Sequence, residues 1–166
     1  MSSTRLNSDI ATEAASLPTV ATRFELAVLP VADVDRARAF YRGLGWRLDA
    51  DVTVGEEYRV VQVTPPGSPA SVIFGTEPTA MTPRSGQDLM LVVEDIDAAC
   101  EARRARGAAV SDVWHEETGV FDHAGTAGRV PGPDRHGSSY GSWASFSEPD
   151  GNGWLVQEIK ERLPGR

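Results

Sequence analysis

The sequence predicts an α+β protein built from two βαβββ modules. Two observations carry this expectation. The stretch Phe24–Gly45, FELAVLPVADVDRARAFYRGLG, reads as a strand running directly into a helix, and Asp88–Gly107, DLMLVVEDIDAACEARRARG, repeats it. The two copies are offset by 62 positions (95 − 33), which aligns Val31/Val93, Asp33/Asp95, Asp35/Asp97, Ala37/Ala99, Arg42/Arg104 and Gly45/Gly107. Matches this dense within one strand–helix context indicate an internal duplication.

In the first copy, Leu26–Val31 is apolar at every position, as in a strand covered on both faces. Asp33 is placed to cap the helix that follows, and Asp35 sits in its first turn, where the helix dipole favours a carboxylate. Ala37, Phe40, Tyr41 and Leu44 fall on one helical face, and Gly45 stands where a helix-terminating glycine is expected. Trp46–Val54 and Glu57–Thr64 then read as a hairpin around Gly55. After a Pro/Gly turn at Pro65–Pro69, Ala70–Phe74 completes the module. The second half follows the same order. Val110–His115 is its next strand, Glu116–Ser139 a long irregular loop, and Tyr140–Phe146 and Gly153–Ile159 are strands joined by the turn SEPDGNG. The expected organisation is a tail over residues 1–22, a first module over 23–75, a linker over 76–86, a second module over 87–160 and a short tail over 161–166.

Composition narrows the function classes. A net charge of −8 lacks the basic footprint that nucleic-acid binding requires. No apolar run reaches the ~18 residues of a membrane span. The Ser/Thr/Ala-rich start has no continuous apolar core of a secretory signal, so a cytoplasmic location is expected. The single cysteine, Cys100, excludes an internal disulfide and a cysteine-built zinc site, and reads as a small buried hydrophobe.

Three stretches together resemble the vicinal oxygen chelate superfamily, the glyoxalase, bleomycin-resistance and extradiol-dioxygenase group. They are LAVLPVADVDRARAFYRGLGWRL (Leu26–Leu48), LVVEDIDAACEARRARG (Leu91–Gly107) and SFSEPDGNGWLVQEI (Ser145–Ile159). The resemblance implies sheets that curl into a ligand-holding cup, with helices on the outer face. It also implies a divalent metal held by His, Gln or Glu side chains from the first and last strand of each module. Carried onto this chain, those positions fall on Leu26, Asp88 and Leu155, with the fourth within Ser71–Ile73. Aliphatic side chains cannot bind such an ion, and one carboxylate cannot make a catalytic site of three protein ligands. No metal and no other cofactor is therefore expected.

His115, His123 and His136 lie in or beside the long loop, and HEETGVFDH sets His115 and His123 near Glu116 and Asp122, without a recognised metal-ligand spacing. Strand alternation puts Leu26, Val28, Met90, Leu155 and Gln157 on the cup face, with Arg59 or Gln62 as further polar points. Tyr140, Trp143 and His123 are added as ligand contacts. Asp88, a carboxylate at the cup, and His115, with an intrinsic pKa suited to proton transfer, are the candidate catalytic groups. Glu158 is expected at a solvated strand end, facing away from the cup. The expected function is binding of a small organic molecule in an apolar cup, such as an antibiotic or natural product held by sequestration. The alternatives are a metal-independent lyase, isomerase or cyclase using Asp88 or His115, and a metal-dependent glyoxalase or dioxygenase with shifted ligands. The unpaired sheet edges of such modules point to a homodimer.

Overall fold

The computed structural model describes residues 20–76, 78–117 and 125–164. The first half forms β1 (Leu26–Val28), α1 (Val34–Gly43), β2 (Arg47–Val54), β3 (Tyr58–Thr64) and β4 (Ser71–Gly75). The second forms β5 (Leu89–Val93), α2 (Ile96–Ala105), β6 (Trp114–Glu116), β7 (Arg129–Pro131), β8 (Ser142–Ser147) and β9 (Gly153–Glu158). This is the α+β order expected, with one strand more. The strands make two open mixed sheets, ordered β1-β4-β3-β2 and β5-β9-β8-β6-β7.

Both helices begin and end as local chemistry dictates. The Asp33 carboxylate accepts from Arg36 N (2.9 Å), and the Asp95 carboxylate accepts from Ala98 N (2.9 Å). Each satisfies a backbone donor that the first helical turn leaves free. Gly45 and Gly107 both take left-handed backbone angles, with φ of 85° and 86°, so the duplication extends to the geometry of the helix ends.

Three expectations need correction. β1 stops at Val28, because Pro30 offers no N–H to a ladder; Leu29 still donates to Ile73 O (2.8 Å) and is buried. The strand expected over Val110–His115 is reduced to a bridge from Val110 to Phe146 and the short β6. The loop expected over Glu116–Ser139 contains β7, which pairs antiparallel with β6 through Glu116↔Arg129 and Trp114↔Pro131.

One core runs through both halves. Tyr41 of α1 packs against Trp46 and Phe74, and Tyr41 and Trp46 both meet Trp154 of β9, which stacks on Phe146 at an interplanar angle of 7°. The Trp154 indole N–H donates to the Tyr41 oxygen (3.1 Å), and burial pushes the Tyr41 phenol far above its usual pKa. Cys100 is buried, as expected, and burial likewise raises its thiol pKa.

The turn before β9 ties the halves together. Asp150 accepts from Ala32 N (2.8 Å), Asp33 N (3.3 Å) and the Arg36 guanidinium. Asn152 donates to Pro30 O (2.8 Å) and accepts from Gly86 N (3.0 Å). No helix among the described residues is long and apolar enough to cross a membrane.

Candidate functional site

In each sheet one face packs on a helix and the other does not, and the registers assign every strand residue to one of them. Directly paired residues share a face. In the second sheet Met90 pairs with Leu155 and Val92 with Gln157, Gln157 also faces Trp143, and Trp143 faces Trp114. These residues form a row across four strands. Their neighbours Leu91, Val93, Val156 and Phe146 pack into the core on the helix side. In the first sheet Leu26 pairs with Ser71, Val28 with Ile73, and Ile73 with Gln62, while Gln62 and Val60 face Ala50 and Val52.

The registers thus place Leu26, Val28, Met90, Leu155 and Gln157 on the faces that strand alternation gives them, and set Trp143 beside Gln157. The polar points are more specific than alternation could show. Gln157 is buried, and its amide donates to Tyr140 O (3.0 Å). Gln62 donates to the Ser71 hydroxyl (3.1 Å), which shares a 2.7 Å hydrogen bond with Thr64, whose hydroxyl donates to Asp49. That donation and the Arg47 guanidinium hold the Asp49 carboxyl below the usual carboxylate range. Arg59 is not on this face. It lies on the helix side, bonded to Asp51 and Asp35, and those bonds raise its pKa.

Trp143 and Trp114 are both buried, and among the described residues neither indole N–H has a hydrogen-bond partner. Trp114, which sequence reading passed over, carries the Arg129 guanidinium 3.9 Å above its ring centroid, a cation–π contact. The WHE alternation of β6 could have shown that Trp114 and Glu116 share a face opposite His115.

The other candidate residues fall elsewhere. His115 lies on the face opposite Trp114 and Trp143, half-buried, with Nδ1 2.8 Å from Gly132 O. Asp88 is exposed in the irregular segment directly before β5 and has a left-handed φ of 58°, a region in which aspartate is enriched. Tyr140 precedes β8, with φ of 71°, and its phenol accepts from Leu163 N (3.1 Å), which ties it to the C-terminal segment. His123 lies outside the described residues. Glu158 does face away from Leu155, but it is buried rather than solvated. Its carboxylate accepts from Ile96 N (3.2 Å) at the start of α2 and pairs with Lys160 (3.2 Å).

The positions that would carry a metal do not fit one. Leu26 and Leu155 offer only hydrocarbon, Asp88 is exposed before β5, and the Ser71 hydroxyl is engaged by Gln62 and Thr64. Among the described residues no three His, Cys, Asp or Glu side chains are placed to share an ion.

A two-module α+β chain with these sheets defines a class, and a family model agrees. Residues 23–156 match the Glyoxalase/Bleomycin resistance protein/Dioxygenase superfamily, and the chain belongs to it. Among solved structures, it is similar to TnmS3, an antibiotic binding protein from Streptomyces sp. CB03234. The two are 27% identical over 86% of this chain and 99% of that one, with a TM-score of 0.61. It is also similar to a glyoxalase/bleomycin resistance protein from the same organism, with 28% identity over 82% and 100% of the two chains and a TM-score of 0.57. A superfamily member from Sphaerobacter thermophilus DSM 20745 shares the fold at 24% identity over 83% and 98% of the chains, with a TM-score of 0.59. A search of curated proteins returns no match.

Proposed function

We propose that this chain binds a small organic molecule, an antibiotic or natural product, against the helix-free faces of its sheets and holds it without transforming it. We further propose that two copies form the working unit. One observation carries the reading: the helix-free faces expose apolar side chains on β2, β3 and the edge strand β5, beside a buried row of Leu155, Trp143 and Trp114. Met90 and Val92 of the second sheet are 49% and 42% exposed, and Val52, Val54 and Tyr58 of the first sheet are 52%, 61% and 47% exposed. Exposed apolar side chains grouped in this way on a sheet face mark a binding site or an interface. Docking a second copy would enclose the exposed part of these faces into an apolar cup lined by Leu26, Val28, Met90 and Val92, with Leu155 and Trp143 at its buried floor and Gln157 and Gln62 as polar points.

Two further observations support binding over chemistry. Leucine at both Leu26 and Leu155 removes donors from two of the positions where the superfamily's metal would be held. The buried, unpartnered indole N–H groups of Trp114 and Trp143 suit a ligand that brings hydrogen-bond acceptors. The 27% identity with an antibiotic binding protein is consistent with the same reading.

The test is a titration of the protein with polycyclic aromatic antibiotics, followed by intrinsic tryptophan fluorescence with and without EDTA. Saturable quenching at one ligand per cup, unchanged by EDTA, is expected. Absence of saturable quenching across the panel, or its abolition by EDTA, contradicts the proposal.

A further inference from the structure

A groove of about 590 Å³ runs along the edge strand β5, between the Pro65–Pro69 turn and the C-terminal half of α2, and adjoins the helix-free face at Met90 and Val92. Its walls combine apolar residues, Trp46, Met90 and Val92, with three arginines, Arg103, Arg106 and Arg162. No aspartate or glutamate lines it, in a chain with 24 acidic and 16 basic residues.

Four of the other arginines are neutralised in place. Arg36, Arg38, Arg47 and Arg59 each pair with an aspartate. Among the described residues no carboxylate pairs with Arg103, Arg106 or Arg162. Arg103 is half-buried, lies over the Phe146 ring (5.8 Å) and donates to Ala99 O (2.9 Å) in its own helix. Burial lowers its pKa. Arg106 donates one N–H to Gly43 O (3.2 Å) and passes so close to Gly45 that a β-carbon there would stand 3.4 Å from the guanidinium. A guanidinium has five N–H donors, so most of this set remains free to meet an incoming acceptor. A half-desolvated cation without a counter-ion is costly, and an anion arriving from solution relieves that cost.

We propose that this groove is a second binding site, adjoining the cup at Met90 and Val92 but with its own arginines, for an amphiphilic anion: a carboxylate or phosphate head on an apolar body of medium length. Arg103, Arg106 and Arg162 hold the head group in the fork geometry that guanidinium offers to either oxyanion. The apolar body lies on Trp46 and along Met90 and Val92. The volume is in the range of small-molecule sites.

The test uses octanoate, octyl phosphate and the neutral 1-octanol, each titrated into ¹⁵N-labelled full-length protein and followed by amide chemical shifts. Both anions are expected to bind at least tenfold more tightly than octanol and to shift Gly45, Gly67 and Arg106. The ratio of the two affinities identifies the preferred head group. The exposed positions allow an Arg106→Gln/Arg162→Gln double variant with an unaltered spectrum elsewhere, and it should lose at least tenfold in anion affinity, as should the wild type in 0.5 M NaCl. Equal affinity for octanol, unchanged affinity in the double variant, or shifts confined to Trp143 and Gln157 would overturn the proposal. Binding of polycyclic antibiotics to the double variant should match wild type, so failure of this site and failure of the cup reading are separable.

Discussion

Removing the Asp150 carboxylate should loosen the joint between the two halves in a pH-dependent way. Its side chain is only 4% exposed, and it accepts from Ala32 N, Asp33 N and Arg36 at the entrance of α1. Burial alone would raise its pKa. The two backbone donors and the guanidinium outweigh that, and hold the carboxyl below the usual carboxylate range. Hydrogen bonds to a charged group contribute ~1.5–3 kcal/mol each. Ala32 and Asp33 lie near solvent, so water partly replaces the lost acceptor and the lower end applies. The contact with half-exposed Arg36 adds ~0–1 kcal/mol. Asp150→Ala should therefore cost about 3 kcal/mol at pH 7, and Asp150→Asn, which keeps one acceptor and the shape, about 1.5 kcal/mol. Because the folded pKa is depressed, the carboxylate's contribution is complete well above its unfolded value of ~3.9 and disappears as pH falls through the folded value. Urea unfolding of wild type and Asp150→Asn at pH 7 and at pH 2.5 measures this, and the difference between the two proteins cancels the effects of Asp49, Asp51 and Asp134, which are also depressed. The reasoning fails if Asp150→Ala costs under about 0.5 kcal/mol at pH 7, or if the Asn deficit is the same at both pH values.

Other perturbations test other parts of the account. Gly75→Ala would place a β-carbon 1.9 Å from Arg59 O, so the β3–β4 pairing must shift; a loss above ~2 kcal/mol in urea unfolding is expected. Glu158→Gln keeps an acceptor for Ile96 N but loses the Lys160 pair and the charge at the α2 N-terminus, for about 1 kcal/mol, measured by thermal unfolding. Under the two-copy proposal, Val52→Asp on the exposed face of the first sheet should lower the sedimentation coefficient from that of a dimer to that of a monomer while leaving the far-UV circular dichroism unchanged.

What could be read in the sequence was what local chemistry decides. Asp33, Asp95, Gly45 and Gly107 act within a turn of their own positions, so their roles follow from spacing alone. The faces of Leu155 and Glu158 followed from strand alternation. What Glu158 meets did not, because Ile96 is 62 positions away. Asp150 and Asn152 looked like ordinary turn residues; their partners Ala32 and Pro30 are more than 100 positions distant. β7 was hidden for a related reason. Arg129–Pro131 sits among glycines and prolines and is a strand only because β6 pairs with it. At the candidate site, the leucines that replace metal donors were legible, since residue type alone decides them. The Trp114–Trp143 row depended on pairing across two strands, which no single stretch encodes.

The central claim, retention of a ligand without chemistry, is tested most directly by recovering a bound antibiotic. A compound that saturates the tryptophan signal is incubated with EDTA-treated protein, released by denaturation and weighed by mass spectrometry. The account predicts an unchanged mass, in the ratio of one ligand per cup. A recovered compound of altered mass or rearranged structure, accumulating beyond one equivalent, would contradict it.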